Sequence, residues 1–446
     1  MRPIATPPTL VEVFSSQAQE LTKWFPTSEA QDLIRRTNER YLHWHDFRFR
    51  PMPKGLSPEL GWSLVKMSRF GQARGVGLIG MDGTKFGYWL PDGIQRELHF
   101  IDQNATGQIL VDEPLSSIDK DRFIVNSLME EAIASSILEG AATTRKKAKE
   151  MLREERKPRS RAEQMVLNNY NTMKRITELA DDELSTEMLC ELQASMTAHT
   201  LDDESAAGRL RRPDEEVRVV DVTDGRILHS PPPASELNKR LDLLCRFANE
   251  TPESSFIHPV IKGIVLHFWL AYEHPFVDGN GRTSRALFYW FLLKQKYWLA
   301  EFLPISRIIL KAPSKYMRAF LYSETDGGDL TYFVAFNVRA LRLAIDDLRL
   351  YMTRKQQEFR QARSQMRTVR GLNHRQVELL QHALRHPDSN YAIRRHMNTH
   401  RIVYQTARTD LFGLVKKGFF KTKKEGRTYI FSPIDDLPLK LKLRKP

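Results

Sequence analysis

Residues 260–272 read VIKGIVLHFWLAY, a helix-length run that is apolar nearly all round. A helix with no water-facing stripe is stable only when other elements surround it, so this segment demands a bundle built around itself. After a break at GNG (residues 279–281), a second apolar helical run covers residues 282–294. Two buried helices joined by a tight loop thus set the centre of a mainly α fold.

With 446 residues the chain exceeds what one core usually serves. The pattern divides it into an α+β N-terminal region (1–115), a helical core (116–345), a charged helical connector (346–370) and a C-terminal unit (371–446). In the first, residues 28–34 read as a capped helix start, and Asp82-Gly83 between apolar runs marks a hairpin. The longest apolar run, residues 286–293, falls far short of the ~18–20 residues that cross a bilayer, and no membrane association is expected. The opening MRPIATPPTL lacks the apolar stretch of a secretory signal. Cys190 and Cys245 lie in apolar helical contexts without metal-ligand spacing, as expected of structural thiols in a reducing, cytoplasmic setting.

The net charge of +13 is uneven. Residues 370–446 hold 17 Lys and Arg against 6 Asp and Glu, a balance of +11, which leaves +2 for everything else. There, LNHRQVELLQHALRH, YAIRRHMNTH and VYQTARTDLFGLVKKGFF read as three helices, and FFKTKKEGRTYIF as a hairpin turning at Glu425-Gly426. Three helices followed by a basic hairpin is the winged-helix layout, and TARTDLFGLVKKGFF resembles the winged helices of bacterial transcriptional regulators. Residues 404–416 are then the recognition helix. Such a unit binds DNA or docks proteins, and the oligomeric state, a homodimer included, is open. The five histidines His374, His382, His386, His396 and His400 have no metal-site spacing.

The loop between the two buried helices carries the chemistry: HPFVDGNGRTSR, residues 274–285. His274 follows the buried helix and is held by Pro275, a good way to position a base that titrates near neutrality. Gly279-Asn280-Gly281 lets backbone N–H groups converge at a helix start, which makes an anion site. Arg282 and Arg285, three apart, share one face beside it, and guanidinium forks suit phosphate. Asp278 beside a phosphate makes sense with Mg²⁺ between them. The residues read as a nucleoside-triphosphate site with a histidine base.

The stretch resembles, at every fixed position, the Fic family signature HPFx(D/E)GN(G/K)RxxR. That resemblance implies a helical core and transfer of a nucleotide monophosphate, usually AMP from ATP, to a Ser, Thr or Tyr hydroxyl of a protein. It assigns His274 as general base and Asp278 as the Mg²⁺ holder. Gly279, Asn280, Gly281 and Arg282 contact the phosphates, and Arg285 grips the terminal one. The hairpin of residues 217–229 (VRVVDVTDGRILH) resembles the family's flap, which holds the target segment by strand addition, although a hairpin can also merely pack.

A second motif is SSILEG, residues 135–140. Glu131, Ser135 and Glu139 recur every four residues, a polar stripe on an otherwise apolar helix that Gly140 ends. A carboxylate in the last turn opposes the helix dipole, so Glu139 either meets a cation from elsewhere in the chain or faces solvent. The stretch resembles the family's inhibitory pattern (S/T)xxxE(G/N), in which Ser135 and Glu139 form the brake and the glutamate pairs with the second signature arginine, here Arg285. The expectation is a self-inhibited protein adenylyltransferase. The alternative is a DNA-binding regulator whose core senses nucleotide or modifies only itself.

Overall fold

A computed structural model describes residues 3–105, 117–221, 223–250, 256–297, 303–365, 371–426 and 428–441. Among the described residues the fold is mainly α, as the two buried runs require, with three small antiparallel sheets. The first buried run is the helix Pro259–Glu273, with Pro259 in its first turn and the His258 imidazole accepting from the Val260 N–H. From Val260 to Leu270 every residue is buried. The second is the helix Asn280–Lys294, which lies along the first. It begins two residues earlier than the sequence pattern suggests, because Asn280 and Gly281 already have helical geometry. Around this pair stand the helices Arg161–Glu178, Thr186–Thr197, Leu237–Asn249 and Thr331–Gln365, closing one large apolar core.

The N-terminal region is two things. Residues 21–65 have their own cluster around Trp44, Phe47 and Trp62. The hairpin Arg74–Ile79 and Lys85–Tyr88, which turns at Asp82-Gly83, instead puts Val76, Leu78, Phe86 and Tyr88 into the large core. The expected limit at 115 lies outside the described residues. The limit at 345 is not a break at all: Thr331–Gln365 is one helix running through it.

The helix Ser117–Leu138 lies across the core and stops at Gly140, whose φ of +88° suits glycine at a helix end. The following helix, Arg145–Glu154, folds back on it, with Val125, Met129 and Ile133 meeting Ala148, Met151 and Leu152. The segment of residues 217–229 forms a short antiparallel hairpin, Val219–Val220 with Ile227–His229. Its expected reach to Val222 lies outside the described residues.

In the C-terminal unit the helices are His374–Arg385, Ile393–His400 and Tyr404–Lys416, followed by the strands Phe420–Glu425 and Thr428–Pro433. Tyr391–Ala392, expected as helix, is a third strand on the outer side of Thr428–Pro433. The unit has its own core, in which Leu380, Leu411, Leu414 and Phe431 are fully buried. Asp410 is buried there among Arg375, His396 and Asn373, which hold its carboxyl below the usual range although burial alone would raise it. His396 and His400 are core residues. Among the described residues no helix is long and apolar enough to cross a membrane.

Candidate active site

His274 is the C-cap of the central helix, in the left-handed region at φ 46°, ψ 55°. That is an uncommon conformation for a residue with a side chain and one that surrounding structure must enforce. Arg211, which no local pattern singled out, does so: its Nε donates to the His274 carbonyl at 2.9 Å and its own N–H to the Pro275 carbonyl at 2.9 Å. Its Nη2 reaches the Pro232 carbonyl, just beyond the short hairpin, so one guanidinium ties the histidine to the end of that hairpin. At the same end of the hairpin, His229 lies 2.7 Å from the Tyr272 carbonyl and 2.8 Å from Glu324. The neighbouring Glu273 is wholly buried and held by Arg240 at 2.6 Å and by the Trp269 indole at 3.1 Å.

The His274 imidazole places Nδ1 3.3 Å from the Ala271 carbonyl. A carbonyl only accepts, so Nδ1 carries the proton and Nε2 is the free base. Burial pulls the His274 pKa down to about 4, and this outweighs the opposing pull of Glu139. The ring is therefore neutral at pH 7, the state a base requires.

The loop that follows is pinned from inside. The Asn280 side chain accepts from the Phe276 N–H at 2.9 Å and donates to the Phe276 carbonyl at 2.7 Å. Its amide is spent on the loop, so what Asn280 can offer an anion is its backbone N–H. Gln193 fastens the loop from below, donating to the Asp278 carbonyl at 3.0 Å and accepting from Gly208 N–H at 2.7 Å. The signal for Gln193 was available: it is the lone polar residue on a stripe of Leu189, Leu192 and Met196. Gly279 adopts φ +86°, and a side chain there would also strike Thr197. The first helical hydrogen bond runs from Thr283 N–H to the Gly279 carbonyl, so the N–H groups of residues 280–282 precede the ladder and point out of the helix start.

Arg282 is 1% exposed and donates to the Met196 carbonyl at 2.8 Å, with Asp278 3.5 Å away. One of its nitrogens, Nε, is buried without a partner. It props the loop from inside at least as much as it faces a ligand. Asp278 keeps 44% of its side chain exposed, with one oxygen taken by the Gly279 N–H. A half-open carboxylate beside an anion site fits a cation that takes its other ligands from phosphate and water. Among the described residues no cluster of three or more His, Cys, Asp or Glu forms a self-contained metal site.

Opposite the helix start lies the SSILEG segment. Arg285, 4% exposed, donates Nε to the Ser135 hydroxyl at 2.9 Å and Nη2 to the Ser135 carbonyl at 3.1 Å. The same Nη2 meets Glu139 Oε1 at 2.9 Å. Of the two alternatives for Glu139, the ion pair is the one observed. Burial disfavours the charged guanidinium, but Glu139, Tyr316 and Glu131 outweigh it and its pKa is raised. A methyl at Gly281 would overlap the Glu139 carboxylate, standing 2.9 Å from Cδ and 3.1 Å from Oε2. The carboxylate therefore occupies the space directly over the first turn of the signature helix.

Glu131, the third member of the polar stripe, is buried as well. Its oxygens take the Ser306 N–H at 2.9 Å, the Ser306 hydroxyl, and the Tyr289 hydroxyl at 2.7 Å. Tyr289 lies one turn beyond Arg285, so the stripe on Ser117–Leu138 grips the signature helix at two heights.

The Fic/DOC family model matches residues 183–292. The Protein adenylyltransferase Fic of Drosophila melanogaster is 37% identical over 108 residues, 24% of this chain and 20% of that protein. Its namesake in Nematostella vectensis is 29% identical over 119 residues, 26% of each. The chain thus spans about a quarter or less of the curated relatives it matches. A crystal structure of a Fic family protein from Desulfovibrio desulfuricans is similar at TM-score 0.48 and 20% identity, covering 77% of this chain and 95% of that one. The signature, the helical core that buries it and the family match converge on one conclusion: residues 183–292 are a Fic/DOC family domain.

Proposed function

We propose that this protein is a self-restrained protein adenylyltransferase, moving AMP from ATP to a Ser, Thr or Tyr hydroxyl of a protein, itself included. The catalytic unit is the large helical core from about residue 116 through the first part of Thr331–Gln365, with the hairpin of residues 74–88 packed on it. Nε2 of His274 accepts the proton of the attacking hydroxyl, whose oxygen forms a new bond to the α-phosphorus while the bond to the β-phosphate oxygen breaks and pyrophosphate leaves. The backbone N–H groups at the start of the signature helix and the guanidinium of Arg285 hold phosphate oxygens, and Arg282 shapes the loop beneath them. Asp278 would hold Mg²⁺, which neutralises phosphate charge when bound.

The observation that carries this reading is the Glu139 carboxylate. It is an anion seated over a helix N-terminus, held by a buried arginine, in room left by a glycine. That pocket suits a phosphate, and the glutamate fills it. The target segment would add to the Val219–Val220/Ile227–His229 hairpin, which presents Val220 and Ile227 as an exposed cross-strand apolar pair.

The test uses α-labelled ATP and Mg²⁺ with wild type, Glu139→Gly, and Glu139→Gly combined with His274→Ala. Glu139→Gly should raise protein labelling by about 5- to 150-fold, the range of ordinary coupling energies. His274→Ala should then lower it by roughly 10²–10⁴-fold. Absence of label with a folded Glu139→Gly protein refutes the reading.

A second reading concerns the C-terminal unit, which we take as a winged helix that binds duplex DNA. Gln405, Arg408 and Thr409 on Tyr404–Lys416, and Lys421, Lys423 and Lys424 on the first hairpin strand, all face solvent. Binding to a duplex should weaken steeply with salt, and charge removal at Arg408 and Lys423 should flatten that slope. No binding of the intact protein at low salt refutes it.

A further inference from the structure

The helix that carries Glu139 is itself held from behind. Glu130, on the side of Ser117–Leu138 away from the signature, is gripped by Arg145 at 2.6 Å and Lys149 at 2.7 Å from the returning helix Arg145–Glu154. Arg153 of that helix donates to Asn126 at 3.0 Å. The two form a helical hairpin with a small apolar seam of their own, separate from the large core.

The middle helix of the C-terminal unit, Ile393–His400, packs against both arms of this hairpin. Its Asn398 donates to the Arg153 carbonyl at 3.2 Å. That carbonyl lies in the last turn of Arg145–Glu154, where the helix supplies no partner, so Asn398 satisfies an acceptor the helix leaves open. Arg395 stands 3.7 Å from Glu154 in the same contact. A unit connected in sequence only through the far end of Thr331–Gln365 has thus returned to rest on the brake.

We infer that the C-terminal unit is part of the restraint: docked through Ile393–His400, it holds the Ser117–Leu138 hairpin against the core and so keeps Glu139 on Arg285. The inference rests on the adenylyltransferase reading for its activity readout, but its structural content is independent of it. Undocking leaves the hairpin with one face uncovered, and the end of Ser117–Leu138 then lifts more often. The restraint is therefore shared between an ion pair at the site and an interdomain contact on the opposite face of the same helix.

The test is made in the full-length chain. Asn398→Trp wedges a bulky ring into the docked face, and Arg395→Glu places like charges together, to be reversed by adding Glu154→Arg. Two quantities are measured: protein labelling from α-labelled ATP, and hydrogen exchange of the backbone amides of residues 130–139. Asn398→Trp should speed that exchange and raise labelling by about fivefold or more, and should add little in a Glu139→Gly background, because both act on one restraint. Arg395→Glu should do the same more weakly, with the charge swap restoring the wild-type value. Should Asn398→Trp misfold the C-terminal unit, the charge pair and its reversal carry the test alone. Exchange at residues 130–139 unchanged in both variants overturns the inference whatever the labelling. Faster exchange with labelling that stays at the wild-type level, while Glu139→Gly is raised, overturns it too. If Glu139→Gly itself is not raised, the adenylyltransferase reading has failed, and the exchange data alone decide the docking claim.

Discussion

Two carboxylates on the helix Ser117–Leu138 and its end, eight residues apart, face the same signature helix and are held in opposite ways. Glu131 is fully buried and saturated by Ser306 and Tyr289, and burial pushes its pKa up. Glu139 has a side chain 31% open to water and pairs with Arg285. The first is an anchor, because releasing it would strand several polar groups in the core. The second is a latch, because water can replace its carboxylate where it stands. On the proposed restraint, release of the site would require only the last turn to give, not the helix to leave.

The contrast breaks most easily at the anchor. Glu131→Ala should cost about 3 kcal/mol of stability, as unpaired buried polar groups and a small cavity combine, whereas Glu139→Gly should cost about 1 kcal/mol. Thermal unfolding measures both, and equal losses would mean that the two residues do the same job. Next in size is Gly281→Ala. In the wild type the new methyl collides with the Glu139 carboxylate, so about 1–2 kcal/mol should be lost. In a Glu139→Gly background the same change should be nearly neutral, since the collision is gone and alanine suits a helix. Equal costs in the two backgrounds would place the carboxylate somewhere else.

The smallest effect is on pH. His274 has a depressed pKa of about 4, so it is deprotonated above that value, and as the proposed base it should lose activity only as pH falls through it. Glu139 opposes the depression, so its removal takes the pKa lower still. The acid limb of kcat/KM in Glu139→Gly should therefore lie at or below about 4, well under the ordinary histidine value near 6.5. A limb centred near 6.5 would mean that the ring is far more exposed to water than the structure has it.

What was legible in the sequence was local. The two apolar runs demanded burial, the glycines of the twelve-residue loop marked the turn between them, and the four-residue spacing of Glu131, Ser135 and Glu139 put them on one face. The Glu139–Arg285 pair came from family resemblance, since spacing alone left solvent as an alternative. Long-range partners were not legible. Arg211 has no local reason to grip His274, and nothing near Gln193 points to the Asp278 carbonyl 85 residues away. Asn280 was read as a phosphate contact, but its side chain closes the loop on Phe276, a use that depends on the chain doubling back over four residues. The expected limits near 345 and at Tyr391 shifted for a related reason. Helix continuity and strand pairing are settled by what packs alongside, and the two-residue strand Tyr391–Ala392 exists only because Thr428–Pro433 is there to pair with it.

The C-terminal unit packs Ile393–His400 on the hairpin of Ser117–Leu138 and Arg145–Glu154 and leaves the face of another helix, around Tyr404, Gln405 and Arg408, open to solvent. This separation has a thermodynamic consequence. On the proposed coupling, a ligand of the open face that distinguishes the docked from the undocked unit would shift the Glu139–Arg285 pairing by at most the ratio of its two affinities. By reciprocity, filling the proposed phosphate site would change that ligand's affinity by the same factor by which the ligand changes the nucleotide's. The protein would then report its nucleotide occupancy outward as faithfully as it receives a signal inward.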